Sequence, residues 1–272
     1  MPIKTVLVQV GLGDHFNGAL NVAHTFATRF EAHVDIAYTT RPLHMPQRHL
    51  AGRGGASGYI ADQTALAIEK EDEVKAAMAE RFKDLSWTMT RHDQHHAEAL
   101  GERSHFADIA VVPVSIPRAA EQFTALEKPE ELVLHAAVMA VVVPPEREVL
   151  MQAPRILVPW KKFSGADRVL RDSLRFLTGA GSVRVLMIED SASRDGDGAG
   201  IKRFLTRHGI DAEVENAPAG DVAHAILDSA RDHDSDGIVM GAFSHSRLHA
   251  QLFGSTTETV LRHAGVPVLI SH

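Results

Sequence analysis

Gly241, Ser244, Gly254 and Ser255 stand at a spacing that can cradle an anion. They belong to the stretch Gly241-Ala-Phe-Ser-His-Ser-Arg-Leu-His-Ala-Gln-Leu-Phe-Gly-Ser-Thr-Thr-Glu258, which follows an apolar run and opens an amphipathic one. Glycine lets a backbone turn sharply or approach a ligand closely. Ser255 and Glu258 have the S-x-x-E spacing of a helix start, where free amides and the positive dipole end suit phosphate. Ser255, Thr256 and Thr257 add hydroxyl donors, and Arg247 adds a fixed positive charge. The same features also serve as ordinary turns and caps, so a purely structural reading stands beside the anion-binding one.

Three other clusters invite chemistry and satisfy its spacing rules less well. His92-Asp-Gln-His-His96 offers imidazoles to a metal, but no second ligand cluster is fixed by spacing, so a solvated loop is the expectation and no metal site is assigned. Gly11-Leu-Gly13 follows an apolar run as a dinucleotide fingerprint would, yet Phe16 stands where the third glycine belongs. Ser244-His245-Ser246 has no G-x-S-x-G elbow, and adjacent residues do not make a triad. No catalytic residue is assigned, and the chain has no P-loop lysine motif.

Elements must hold these residues, and the elements repeat. Thr5–Val10 lies over Arg155–Trp160, Asp108–Pro113 over Asp236–Gly241, and Glu130–Val142 over Glu258–Ile270, with His-Ala shared before the last strand. Each half reads as alternating strands and helices, with near-continuous apolar strand cores such as Ile156-Leu-Val158 and Val266–Ile270. Such strands are buried on both faces, which argues for parallel sheets with helical crossovers. The expectation is an α/β chain of two tandem five-stranded, mostly parallel open sheets, residues 1–146 and 153–272, joined by a Pro-rich linker. The halves are expected to be related by a pseudo-two-fold axis, with Val138–Val143 paired to Val266–Ile270 so that neither apolar edge is bare. The first half is longer. Arg41–Gly58 reads as a Pro-, Gly- and His-rich loop over the ligand edge, and Tyr59–Leu85 as one long amphipathic helix.

Composition removes several classes of function. With 272 residues, 44% hydrophobic and 23% charged, the chain is an ordinary globular one. Its longest apolar run, Ala136–Val143, has eight residues, against ~20 for a membrane-crossing helix. A net charge of −7 and the lack of a basic face argue against nucleic acid. Cysteine is absent, which excludes disulfides, thiol catalysis and thiolate zinc sites. With no signal peptide visible in MPIKTVLVQVGLGD, a cytoplasmic protein is expected.

The stretch Met240-Gly-Ala-Phe-Ser-His-Ser-Arg-Leu, followed by Phe253-Gly-Ser-Thr-Thr-Glu258 and His263-Ala-Gly-Val-Pro-Val-Leu-Ile270, resembles the C-terminal signature of universal stress proteins. The nucleotide-binding branch of that family has G-x2-G-x9-G-[ST], and Gly241, Ser244, Gly254 and Ser255 stand at its four positions, with serine replacing the second glycine. The resemblance covers the second half end to end and the first half more weakly. It implies a five-stranded α/β sheet of the adenine nucleotide alpha hydrolase-like type, pairing through the fifth strands, and ATP or AMP at the carboxyl edge, with magnesium as a companion of the nucleotide. Adenine would lie near Ile188 and Glu189, and phosphates near Gly241, Ser244, Gly254, Ser255 and Thr256, with Arg247 or Lys161 as cations.

Two departures bear on this. Lys161 stands where nucleotide-binding relatives usually have an aspartate at the end of the first strand, and a lysine donates where a carboxylate accepts. In the first half the motif positions become Pro113, Ile116, Leu126 and Glu127, which offer phosphate a missing amide and a repelling charge. The leading reading is a tandem universal stress protein that senses adenine nucleotide through its second half. The alternative is an interaction module of the same fold without nucleotide, and a slow ATPase ranks third because no general base can be named. Further self-association and a protein partner are compatible with both leading readings.

Overall fold

Runs such as Val6-Leu-Val-Gln-Val10 and Ile238-Val-Met240 need cover on both sides of the pleat. The computed structural model describes residues 2–13, 16–42, 44–46, 49, 55–114, 123–125, 129–144, 153–161, 164–188, 197–217, 220–241 and 255–271. The chain divides into two compact units, Pro2–Val149 and Leu150–His272.

In the first unit the order is β1 (Thr5–Val10), α1 (Asn17–Phe30), β2 (His33–Thr39), β3 (His44–Pro46), α2 (Gly55–Glu69), α3 (Glu71–Arg81), β4 (Trp87–His92), α4 (His96–Ser104), β5 (Ile109–Pro113), β6 (Phe123–Ala125), α5 (Pro129–His135) and β7 (Ala140–Val143). Its main sheet runs β7-β5-β1-β2-β4, with every pair parallel. Asp35 bonds Arg103 of α4, whereas the Tyr38 hydroxyl donates to Ala67 O of α2 at 2.7 Å. Residues 35 and 38 point to opposite faces of β2, so helices cover both. The buried strand residues Val6, Val8, Val34, Ile36, Val111 and Val141 form the core between them.

The second unit continues with β8 (Arg155–Trp160), α6 (Ser164–Leu177), β9 (Ser182–Ile188), α7 (Asp197–Arg207), β10 (Ala212–Ala217), α8 (Val222–Asp232), β11 (Gly237–Gly241), α9 (Ser255–His263) and β12 (Val268–Ser271). Its strands run β10-β9-β8-β11-β12, again all parallel. The α/β class and the mostly parallel open sheet are those expected from the alternating apolar runs.

One contact recurs in both units. Thr5 N donates to Asp108 Oδ2 at 2.9 Å, and Asp108 N donates back to Thr5 O at 3.0 Å. In the second unit Arg155 N donates to Asp236 Oδ2 at 2.8 Å, and Asp236 N to Arg155 O at 2.7 Å. Each aspartate directly precedes the fourth strand of its sheet and fixes the register of that strand against the first. Asp236 is buried, and its carboxylate also faces the Arg155 guanidinium at 3.5 Å.

The structure differs from the sequence reading in the inserted part of the first unit. The single helix expected over Tyr59–Leu85 is two helices, α2 and α3, separated at Lys70. The break falls where Ala67 O, the carbonyl that Glu71 N would take in a continuous helix, accepts the Tyr38 hydroxyl instead. The burial of α2 is slight, Ala67 being its buried residue, so its pattern held no strong phase to read. The segment Arg41–Gly58, expected as a loop, contains β3, which pairs antiparallel with β6 through His44–Ala125, Met45–Thr124 and Pro46–Phe123, and it also contains the start of α2. A three-residue strand is too short to show a period, and its partner lies far along the chain. Residues 43, 47–48 and 50–54 of that segment lie outside the described ones.

Asp236→Ala removes a buried charge-assisted acceptor and leaves the Arg155 amide unpaired, so it should lower the unfolding free energy by about 2 kcal/mol. Asp236→Asn retains an acceptor oxygen and should cost roughly half as much. Urea titrations followed by circular dichroism check both values.

Candidate functional site

Strand order decides where a ligand can sit. From β8 the chain passes to β9 on one side, and after β10 it returns to β11 on the other side of β8. Connections leaving in opposite directions open a crevice at the carboxyl ends of β8 and β11, which is where open α/β sheets bind ligands. The residues that close these strands are Trp160 on β8 with Lys161 next to it, Gly241 on β11 and Ile188 on the neighbouring β9. Helix α9 joins β11 to the parallel β12, so its N-terminus, Ser255 and Thr256, lies on the same edge.

Of the residues singled out in the sequence, the structure therefore brings Lys161, Ile188, Gly241, Ser255 and Thr256 to one edge of the second unit. Lys161 is exposed, Gly241 and Thr256 are half-buried, and Ile188 is buried. Ser244, Arg247 and Gly254 lie outside the described residues. Glu258, the acid of the capping-box spacing, pairs along the helix with Arg262 at 2.9 Å. Thr257 and Val260 are buried and seat the first turns of α9. The first amides of a helix have no partner within it, and with a hydroxyl such as that of Thr256 they are donors of the kind an anion takes.

Sequence reasoning missed Trp160. The residue is 8% exposed, and its indole Nε1 is buried without a hydrogen-bond partner. A buried unpaired donor costs about 1–3 kcal/mol, so folded chains seldom keep one without cause. The available signal was a tryptophan as the last residue of a strand core that is otherwise aliphatic.

At the corresponding edge of the first unit, the described side chains pack over the strand ends. Gly11 follows β1, and a Cβ there would lie 2.9 Å from Phe16 Cζ, so the buried Phe16 ring occupies the space beside the strand end. Pro113, which replaces the motif glycine, is the buried last residue of β5. Ile116, Leu126 and Glu127 lie outside the described residues. Polar contacts complete the closure. The His96 Nε2 lies 2.7 Å from Arg41 O and therefore carries the proton, and its Nδ1 lies 2.9 Å from the Thr39 hydroxyl. Gln9 Nε2 donates to His96 O at 3.0 Å, and the Thr40 hydroxyl donates to Asp93 Oδ1 at 3.2 Å.

This corrects the reading of His92–His96 as a solvated loop at its two ends, while Asp93 and His95 between them are exposed. His96 is 2% exposed and opens α4, where it ties the ends of β1 and β2 together. Among the described residues no three histidines or carboxylates converge as a metal site. His92 is half-buried, and its Nε2 has no partner. Burial, and then the nearby Arg103 guanidinium, push its pKa below the usual histidine value, against the opposing pull of Glu102, Asp35 and Asp93.

Comparison with known proteins follows the fold. Residues 179–272 match the model of the universal stress protein family. A universal stress protein of Synechocystis sp. is 38% identical over 68 residues, 25% of this chain and 23% of that protein, so the match spans about a quarter of that relative's length. The crystal structure of a universal stress protein from Archaeoglobus fulgidus DSM 4304 superposes with a TM-score of 0.73 at 18% identity, over 98% of this chain and 95% of that one. A functionally unknown protein from Pseudomonas aeruginosa PAO1 gives 0.60 at 17% identity, over 99% and 92%. These whole-chain likenesses show a shared fold.

The depressed pKa of His92 has a consequence for stability. Above the unfolded value, near 6.5, both states hold this imidazole neutral. As the pH falls below it, the unfolded chain takes up a proton that the folded chain resists, so stability is lost. The urea midpoint of the wild type should therefore fall more between pH 7.5 and 5 than that of His92→Gln, which stays neutral throughout. Equal slopes for the two proteins would remove His92 from the acid response.

Proposed function

We propose that this chain, whose residues 179–272 match the universal stress protein family and whose fold is shared with such a protein, is a stress-response binding protein that takes an adenine nucleotide, ATP or AMP, at the carboxyl edge of its second unit. The observation that carries the reading is the asymmetry between the two sheet edges. In the second unit a small residue, Gly241, and a helix start, Ser255–Thr256, flank the crevice beside an unpaired indole donor. In the first unit Phe16 packs beside Gly11 at the strand end, and Pro113 and His96 are buried at the same edge.

In this reading the base rests against the apolar end of β9 at Ile188, and the phosphates meet the amides of α9 and the hydroxyls of Ser255 and Thr256. Gly241 and Gly254 admit the backbone close to those oxygens, Ser244 adds a hydroxyl, and Lys161 and Arg247 supply positive charge. Lys161 in place of a carboxylate shifts recognition from the base toward the phosphates, since an ammonium can pair with phosphate and cannot accept from an amine. No hydrolytic step is assigned, and the bound nucleotide acts as a signal carried by the protein. Among the described residues no helix is long and apolar enough to cross a membrane.

Isothermal titration with ATP and AMP tests the reading. Wild type should bind at least one of them saturably below millimolar concentration. Gly254→Val, shown to be folded by circular dichroism, should bind at least tenfold more weakly, because a β-branched side chain blocks close approach of the backbone. No saturable binding by wild type would leave the interaction-module alternative. Equal binding by both proteins would place the nucleotide away from this edge.

A further inference from the structure

The unpaired indole of Trp160 lies at an informative point of the edge. The strand order puts β8 between β9 and β11, and adjacent strands are about 4.8 Å apart. Trp160 is level with Met187 of β9. The pairing of Gly237 with Ile156 and of Ile238 with Leu157, carried forward along both strands, sets it level with Gly241 of β11. The middle of the edge thus carries a flat aromatic residue with one neutral donor, between an apolar end at Ile188 and a glycine that leads toward a helix start.

We propose that Trp160 Nε1–H is the donor that reads the sugar of a nucleotide bound at this edge, a proposal that rests on the nucleotide reading above. A base over the tip of β9 and a phosphate near the tip of β11 are two strand spacings apart, about 10 Å, and the group that joins them is the ribose, over β8. The indole N–H is uncharged and can only donate, so it matches a hydroxyl oxygen rather than another donor. Within the chain this N–H is buried and unpaired. The bound sugar must displace what covers the nitrogen, and in return it supplies the missing acceptor. Discrimination follows from the same asymmetry, because a ligand without the hydroxyl leaves the donor unsatisfied in the bound state.

The test is a cycle of two proteins and two ligands. Wild type and Trp160→Phe are titrated with AMP and with 2′,3′-dideoxy-AMP, which keeps base and phosphate and lacks both ribose hydroxyls. Wild type should prefer AMP by about three- to tenfold, the worth of one hydrogen bond, and Trp160→Phe should bind both ligands equally. If Trp160→Phe keeps the full preference for AMP, the donor is not Trp160. If wild type binds both ligands equally, no hydroxyl is read here and the proposal fails while nucleotide binding stands. Absence of saturable AMP binding by wild type overturns the nucleotide reading itself. The indole proton resonance of Trp160 in the intact chain, assigned by the loss of the Trp87 signal in Trp87→Phe, gives a second readout that requires no change at Trp160. It should move downfield with AMP and much less with the dideoxy ligand, and equal shifts with the two would also overturn the proposal.

Discussion

The reciprocal hydrogen bonds between Asp236 and Arg155, and between Asp108 and Thr5, are the constraint on which the rest depends. In an open parallel sheet the first and fourth strands are neighbours in space and distant in sequence, so local preference cannot set their register. A carboxylate that accepts the first amide of one strand while its own amide donates back fixes that register at the amino end. The pairing of Gly237 with Ile156 and of Ile238 with Leu157 follows from it, and carried forward along both strands it sets the carboxyl ends of β8 and β11 level. The candidate site lies at the far end of the strands that this contact aligns.

Two units built on the same contact end in opposite ways. In the first, the missing side chain of Gly11 is compensated by the ring of Phe16, and the imidazole of His96 spans Thr39 and Arg41. The polar groups at that edge largely satisfy one another, and what a ligand would contribute the chain contributes itself. Gln9 shows the limit of this closure, since its Nε2 is bonded and its Oε1 has no partner. In the second unit the corresponding strand end carries Trp160, whose donor has no internal acceptor. The difference lies in which side chains end the strands rather than in the fold.

Helix α2 shows how the inserted part of the first unit is held. Its buried surface is small, with Leu66 and Ile68 exposed, and its tie to the sheet is the Tyr38 hydroxyl on Ala67 O. Burial, and secondarily the charge of Glu71, raise the Tyr38 pKa to about 12, so the phenol stays a donor at neutral pH. The bond that interrupts the helix is also the bond that anchors it.

How much of this was legible beforehand follows from the range of each interaction. The alternation of apolar runs and amphipathic stretches determined the α/β class, because burial on both faces of a strand is written in its own residues, such as Ile238-Val-Met240. Matching runs in the two halves marked the repeated strands, and the Gly241…Gly254-Ser255 spacing marked the edge to examine. Contacts that join distant residues were decided only by the tertiary structure. The break at Lys70 depends on a tyrosine in β2, the pairing of β3 depends on β6, and the burial of His96 depends on Thr39 and Arg41. None of these leaves a local period or motif. The unpaired donor of Trp160 is the extreme case, because sequence specifies which groups a chain carries, and only packing decides which of them are left without a partner.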